Sequence, residues 1–171
     1  MLRDSDYEQA FCRIIKIWKP GSPLAPLVEY SYDALGRRIE RKDCVTAANT
    51  RRYYYNYNWQ VLNEYDAAGT PALKKRYIYG SYIDEVLYMY NADADEDYYY
   101  AYDHLYSATA LLDDSAAVVE RIEYNAYGQA DVTIISGPGT GNEYLFTGRR
   151  LDILDGGSLK IYYYRNRLDG A

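Results

Sequence analysis

Few residues in this chain belong to the types that do chemistry. His104 is the single histidine, which excludes a multi-histidine metal site and leaves one candidate for acid-base work. It sits in a turn-like stretch after Asp103, where a structural hydrogen-bonding role is favoured. The run Asp93-Ala94-Asp95-Glu96-Asp97 gathers carboxylates that could hold calcium through oxygen ligands, but EF-hand spacing is missing and a solvated loop is the favoured reading. Gly137-Pro138-Gly139-Thr140-Gly141 is glycine-rich yet lacks the Lys-Ser/Thr ending of a phosphate loop, and it reads as a connector. No motif around Ser107, Ser115 or Cys44 makes a nucleophile. The expectation is a protein without catalysis, metal or cofactor.

Composition narrows the partners. A net charge of −6 argues against nucleic acid, whose binding rests on neutralising phosphates with Lys and Arg. Basic residues do pair up at Arg37-Arg38, Arg51-Arg52, Lys74-Lys75-Arg76 and Arg149-Arg150. Each has acidic neighbours, so solvated strand ends are expected there. Cys12 and Cys44 permit one disulfide without implying it and leave the redox compartment open. The apolar run Phe11 to Trp18 is short and broken by Arg13 and Lys16, which fits neither a signal peptide nor a membrane span.

The elements that would position these residues are strands. The chain has 24 Tyr against 2 Phe and 2 Trp among 171 residues, and Tyr suits half-buried sheets because it joins an apolar ring to a hydroxyl. Period-two alternation recurs along the chain. Val28, Tyr30 and Tyr32 share a face, as do Tyr53, Tyr55, Tyr57 and Trp59, then Tyr98, Tyr100 and Tyr102, Ile122 with Tyr124, and Tyr162 with Tyr164. Asp33 to Gly36, Asp66 to Gly69, Asp113 to Ser115 and Asn125 to Gly128 separate these segments as turns. Around Tyr7 to Trp18 a helix and an edge strand both satisfy the pattern.

A degenerate repeat runs through the turns: Tyr32-Asp33-x-x-Gly36, Tyr65-Asp66-x-x-Gly69, Tyr102-Asp103-x-x-Tyr106 and Tyr124-Asn125-x-x-Gly128. Irregular spacing favours hairpins of varying length in one continuing sheet over a strict solenoid. Together with Tyr32 to Ile39, the turn around Asp103-His104-Leu105, the Tyr127-Gly128 pair, and a closing stretch, these residues resemble the YD-repeat family. The closing stretch comprises Phe146, Gly148, Arg149, Arg150 and Asp152, then Tyr163, Tyr164, Arg165 and Arg167. That family includes Rhs proteins, wall-associated proteins, C subunits of insecticidal toxin complexes and teneurins. The closing stretch resembles the Rhs-associated core, and the resemblance covers roughly residues 28 to 168.

The resemblance implies an all-β fold of antiparallel YD-repeat hairpins in a twisted, spiralling sheet, part of a cocoon-like shell around a toxin cargo. It implies an extracellular or cell-surface setting if the parent is exported, with no signal peptide in this chain. Partners would be other parts of a larger shell, or further copies joined through open sheet edges. The segment that self-cleaves in the family, after the core, is not matched here. Tyr106 stands where the family has a turn glycine, and a remodelled turn is expected there. Four segments are expected: a poorly matching 1–26, hairpins over 27–135, a Gly-rich loop at 136–142 and truncated core-like strands over 143–171. The alternative is an autonomous module binding a glycan or a cell-surface protein through an aromatic face of Tyr55, Tyr57 and Trp59.

Overall fold

A computed structural model of the chain describes residues 7–10, 13–19, 22–67, 70–165 and 168–170. The strands are β1 (Tyr7–Ala10), β2 (Arg13–Lys19), β3 (Ser22–Tyr32), β4 (Arg38–Asp43), β5 (Arg51–Tyr55), β6 (Val61–Asp66), β7 (Leu73–Tyr79) and β8 (Val86–Asn91). They continue as β9 (Glu96–Tyr102), β10 (Ala108–Leu112), β11 (Val118–Tyr124), β12 (Ala130–Ile134), β13 (Arg150–Leu154), β14 (Leu159–Tyr163) and β15 (Leu168–Gly170). β1 to β12 form one sheet in strict chain order, and β13 to β15 form a second, three-stranded sheet. Every pairing is antiparallel.

Of the segment that permits a helix or a strand, the described residues are strand. β1 pairs with β2, Tyr7 opposite Ile17. The division expected at residue 26 falls inside β3, because Pro26 lies opposite Trp18 at a register shift, a position where a missing N–H is tolerated. Cys12 and Gly69 lie outside the described residues, and Cys44 is exposed as a free thiol.

The turns explain why the meander is regular. At Asp33, Asn56, Asp103, Asp113 and Asn125 the backbone N–H donates to the carbonyl four residues on, and the residue three on donates back to the first carbonyl or, at Asn56, is Trp59 in the same backbone region. The side-chain Oδ1 of each accepts the N–H groups two and four residues ahead, all between 2.8 and 3.1 Å. One carboxamide or carboxylate oxygen thus closes each hairpin. The fourth residue takes positive φ: Gly36 and Gly128 at 80°, but also Trp59 at 65°, Tyr106 at 61° and Ala116 at 62°. The turn at Tyr106 is therefore not remodelled. Its ring stacks on Tyr82 with centroids 4.7 Å apart, a contact that offsets the left-handed backbone.

Asp66 differs. Its N–H reaches Ala72, and its Oδ1 accepts the N–H of Ala72 at 2.9 Å. Pro71 has no N–H and pushes Thr70 out of the αR region, so pairing resumes only beyond it.

One face of the large sheet is covered by the β13–β14 hairpin. Tyr53, Val61, Tyr77, Val86, Met89, Tyr98, Leu111 and Ile122 are buried there against Tyr144, Leu145, Leu151 and Tyr162. A smaller cluster seats Leu154 and Ile161 on Ile17, Val28 and Tyr30. Strand residues in the opposite phase, such as Tyr54, Ile78, Leu87 and Tyr99, stay exposed. Among them Tyr54 meets Tyr65 and Tyr88 meets Tyr99 edge to face across neighbouring strands, the cross-strand pairs that hold a sheet without a second layer.

Candidate functional site

The seam between the sheet and the C-terminal hairpin concentrates the charged residues of the interior. The chain reaches it through residues 136–142, where Thr140 is buried and gives both its N–H and its hydroxyl to Glu120, at 3.0 and 2.7 Å. That anchor ends the outward run of hairpins and turns the chain back over the covered face. Lys75 binds the Gly141 carbonyl and Asn91 the Thr140 carbonyl, fixing the path further.

Residues 144–152 then cross the strands. Leu145 accepts the N–H of Ala108, and Thr147 donates its N–H to the Ser107 hydroxyl at 3.1 Å. Phe146 lies 5.5 Å from the Tyr124 ring and 6.4 Å from Tyr162. A Cβ on Gly128 would come within 2.5 Å of that phenyl, and one on Gly148 within 2.5 Å of the Asp84 carbonyl oxygen, where φ is also +65°. Both glycines are places where chain meets chain too closely for a side chain.

Two buried ion clusters follow. Arg150 donates to both oxygens of Glu64 on β6 and to Glu143, while the Tyr77 hydroxyl also donates to Glu64, at 2.7 Å. Asp152 accepts both terminal nitrogens of Arg38 at 2.5 and 3.0 Å, Arg41 at 3.3 Å and the Tyr30 hydroxyl at 3.0 Å. Arg38 is 1% exposed, Glu64 1%, Arg150 4% and Asp152 0%. Burial by itself would raise the two carboxyls, and the facing guanidiniums overcome it: Arg150 holds Glu64, and Arg38 with Arg41 holds Asp152, below their ordinary values.

Tyrosine rings sheathe these cations. Arg38 lies 4.0 Å from the Tyr163 centroid, 5.0 Å from Tyr30 and 5.3 Å from Tyr53, and Arg150 lies 4.5 Å from Tyr53, so ring faces replace part of the lost hydration. At the seam's other end Asp84 accepts Arg149 at 3.1 Å and also binds Arg165. There Arg149 lies 5.3 Å from the Tyr164 ring.

The expectation that Arg37-Arg38 and Arg149-Arg150 mark solvated strand ends is thus overturned. Arg38 and Arg41 face the seam while Ile39 between them is exposed, since the carboxylates that answer them arrive from the far end of the chain. Phe146, Gly148, Arg149, Arg150, Asp152, Tyr163, Tyr164 and Arg165 gather at this seam. Arg167 lies outside the described residues. The repeat-turn residues do not gather: they are spread over separate hairpin ends, with His104 exposed and Tyr127 91% exposed. Tyr32 donates its hydroxyl to the Ile14 carbonyl at 2.8 Å.

The suggested aromatic face does not form. β5 ends at Tyr55, whose hydroxyl donates to the Arg38 carbonyl at 2.8 Å on the covered side. Tyr57 lies in the following turn, 89% exposed, and Trp59 occupies the positive-φ position of that turn. Residues missed by sequence reading are Glu64, Glu143, Arg41 and Tyr30, whose roles depend on partners as many as 122 residues away.

No cluster of His, Cys, Asp and Glu suited to a metal ion occurs among the described residues. No helix among them is long and apolar enough to cross a membrane. A wall of sequential hairpins with one face braced by a later hairpin defines a structural, shell-type β protein. The chain belongs to the teneurin YD-shell family, whose model matches residues 16–138.

Among curated proteins it is 28% identical over 143 residues to the tRNA3(Ser)-specific nuclease WapA of Bacillus spizizenii, and 28% identical over 142 residues to the tRNA nuclease WapA of Bacillus subtilis. Each match covers 83% of this chain and 6% of the relative. Among solved structures, TcdB2-TccC3 superposes with a TM-score of 0.63 at 16% identity, and TcdB2-TccC3-Cdc42 with 0.64 at 17%. Both cover 92% of this chain and 8% of the other. The chain therefore spans a small part of every relative named here.

Proposed function

We propose that the chain is a section of the wall of a larger YD-repeat shell, serving to enclose a toxin cargo and carrying no catalysis of its own. The observation that carries this reading is the brace: residues 143–165 tie β3, β4, β6 and the β7–β8 loop together through Asp152, Arg150 and Arg149. Such ties fix the curvature of a sheet instead of positioning a reactive group. The nuclease activity in the names of the WapA relatives belongs to proteins of which this segment matches 6%, and the single histidine here is exposed in a turn.

Among the described residues β1 and β12 each pair on one side only, and these edges supply the joints. Unpaired strand edges recruit further strands, so the partners are neighbouring shell segments or further copies of this chain. The setting is that of an exported parent, extracellular or at the cell surface. Size-exclusion chromatography with light scattering, on the chain alone and with a polypeptide of preceding YD repeats, tests the reading. Concentration-dependent association, or incorporation into a larger particle that shields an enclosed polypeptide from protease, is expected. A monodisperse monomer at high concentration that ignores the added repeats would overturn it.

A further inference from the structure

The seam contains a cavity whose lining is unlike the rest of this acidic protein. It has a volume of about 50 Å³ and is walled by Arg37, Arg38, Arg149, Arg150, Arg165 and tyrosine rings, with Asp84 as the one carboxylate among the described residues. A water occupies roughly 10–15 Å³ on this measure, so the space takes a group of several heavy atoms.

Two features point to what that group is. First, the charges around the cavity do not balance among the described residues. The ion pairs around the cavity join Arg37, Arg38, Arg41, Arg149, Arg150 and Arg165, six cations, to Asp33, Asp84, Asp152, Glu64 and Glu143, five carboxylates. Lys75, 4.0 Å from Glu143, adds a further cation. Second, the Nε atoms of Arg38, Arg149 and Arg150 and the hydroxyl of Tyr53 are buried and have no hydrogen-bond partner among the described residues. All four residues line this cavity. Buried N–H and O–H donors without an acceptor are costly, and the four side chains that carry them line one space together with Arg37 and Arg165.

We infer that this cavity is a binding site for a small oxyanion, of the phosphate or carboxylate class, held by guanidinium Nε–H groups and the Tyr53 hydroxyl. Guanidinium donors suit oxygen anions in both geometry and charge. Bound there, the anion touches Arg38 and Tyr53 from the sheet and Arg149 and Arg150 from the brace, so its occupancy couples to closure of the seam.

Isothermal titration calorimetry on the whole chain, at fixed ionic strength set by a bulky buffer, tests this with inorganic phosphate and separately with acetate. Saturable binding of one equivalent is expected for at least one of the two, identifying the source. Tyr53→Phe removes a hydroxyl that bonds nothing among the described residues, and Arg165→Gln removes a cation at the rim. Each is expected to weaken binding roughly ten-fold while the circular dichroism spectrum stays unchanged, the first by loss of one charge-assisted contact and the second by loss of a neighbouring positive charge. Absence of saturable heat with either anion would show the cavity to be a water site and overturn the proposal. Equal binding by the wild type and both variants would show an adventitious surface ion only, and would overturn it as well.

Discussion

Asp152 Oδ1 and Oδ2 each accept a terminal nitrogen of Arg38, at 3.0 and 2.5 Å, across 114 residues of chain and with both side chains essentially sealed from solvent. Two-point pairing of this kind fixes orientation as well as distance. Asp152 thereby sets where β13 lies over β4, and the Tyr30 hydroxyl extends the same fix to β3.

Asp152→Ala leaves Arg38 and Arg41 buried without their carboxylate. Removing one partner of a buried pair costs about 3–5 kcal/mol because the other charge is stranded. Urea unfolding followed by circular dichroism should show a loss of that size. A change of under about 1 kcal/mol would mean that the guanidiniums are solvated and the seam is looser than described.

Acid should open the seam. Glu64, Glu143 and Asp152 are held below their ordinary values of 4.5, 4.5 and 3.8, so their stabilisation is complete above those values and is lost as pH falls through the lower folded ones. Asp84, raised by burial despite Arg165 and Arg149, works in the opposite sense and blunts the effect. The urea midpoint should fall progressively below about pH 4.5, and Glu64→Gln should flatten that fall.

Alkali should unfold the protein in a step reported by its tyrosines. Burial raises Tyr30, Tyr53, Tyr77, Tyr79 and Tyr100 above the ordinary 10.0. Their neutral forms therefore contribute stability in full below pH 10.0, and it is lost as pH rises through the folded values. Tyrosinate absorbance and loss of β-sheet signal should rise together. Tyrosinate from these residues forming while the sheet persists would contradict the burial.

The turns offer the opposite kind of test. Ala116 is exposed at φ +62° in the Asp113 turn, a backbone region costly for a Cβ, so Ala116→Gly should stabilise by up to about 1 kcal/mol. Asp113→Ala should destabilise, since Oδ1 holds the N–H groups of Ser115 and Ala117. Thermal unfolding of both variants checks the pair of signs.

Much of the fold is legible in the sequence because strand period and Asx-turn chemistry are local. Tyr98, Tyr100 and Tyr102 do share the covered face, and Asp33 with Gly36 and Asn125 with Gly128 close hairpins as their types suggest. The turn at Asn56 is hidden because Trp59 holds the position where glycine is the usual signal, whereas Asp113 to Ser115 reads as a turn although Ala116 holds that position. The seam is the least legible part. Arginines adjacent to acidic residues read as solvated, and nothing near Arg38 or Glu64 announces that Asp152 and Arg150 will cover them. Only the long-range crossing of residues 143–165 creates that site.

The brace is tested most directly by amide hydrogen exchange on the full chain and on a version ending at Asn142. If the C-terminal segment holds the wall, protection should fall across β4 to β10 together, because Tyr53, Tyr77, Met89 and Leu111 lose their cover at once. Unchanged protection in those strands without residues 143–171 would contradict the account, showing a sheet that keeps its form unaided.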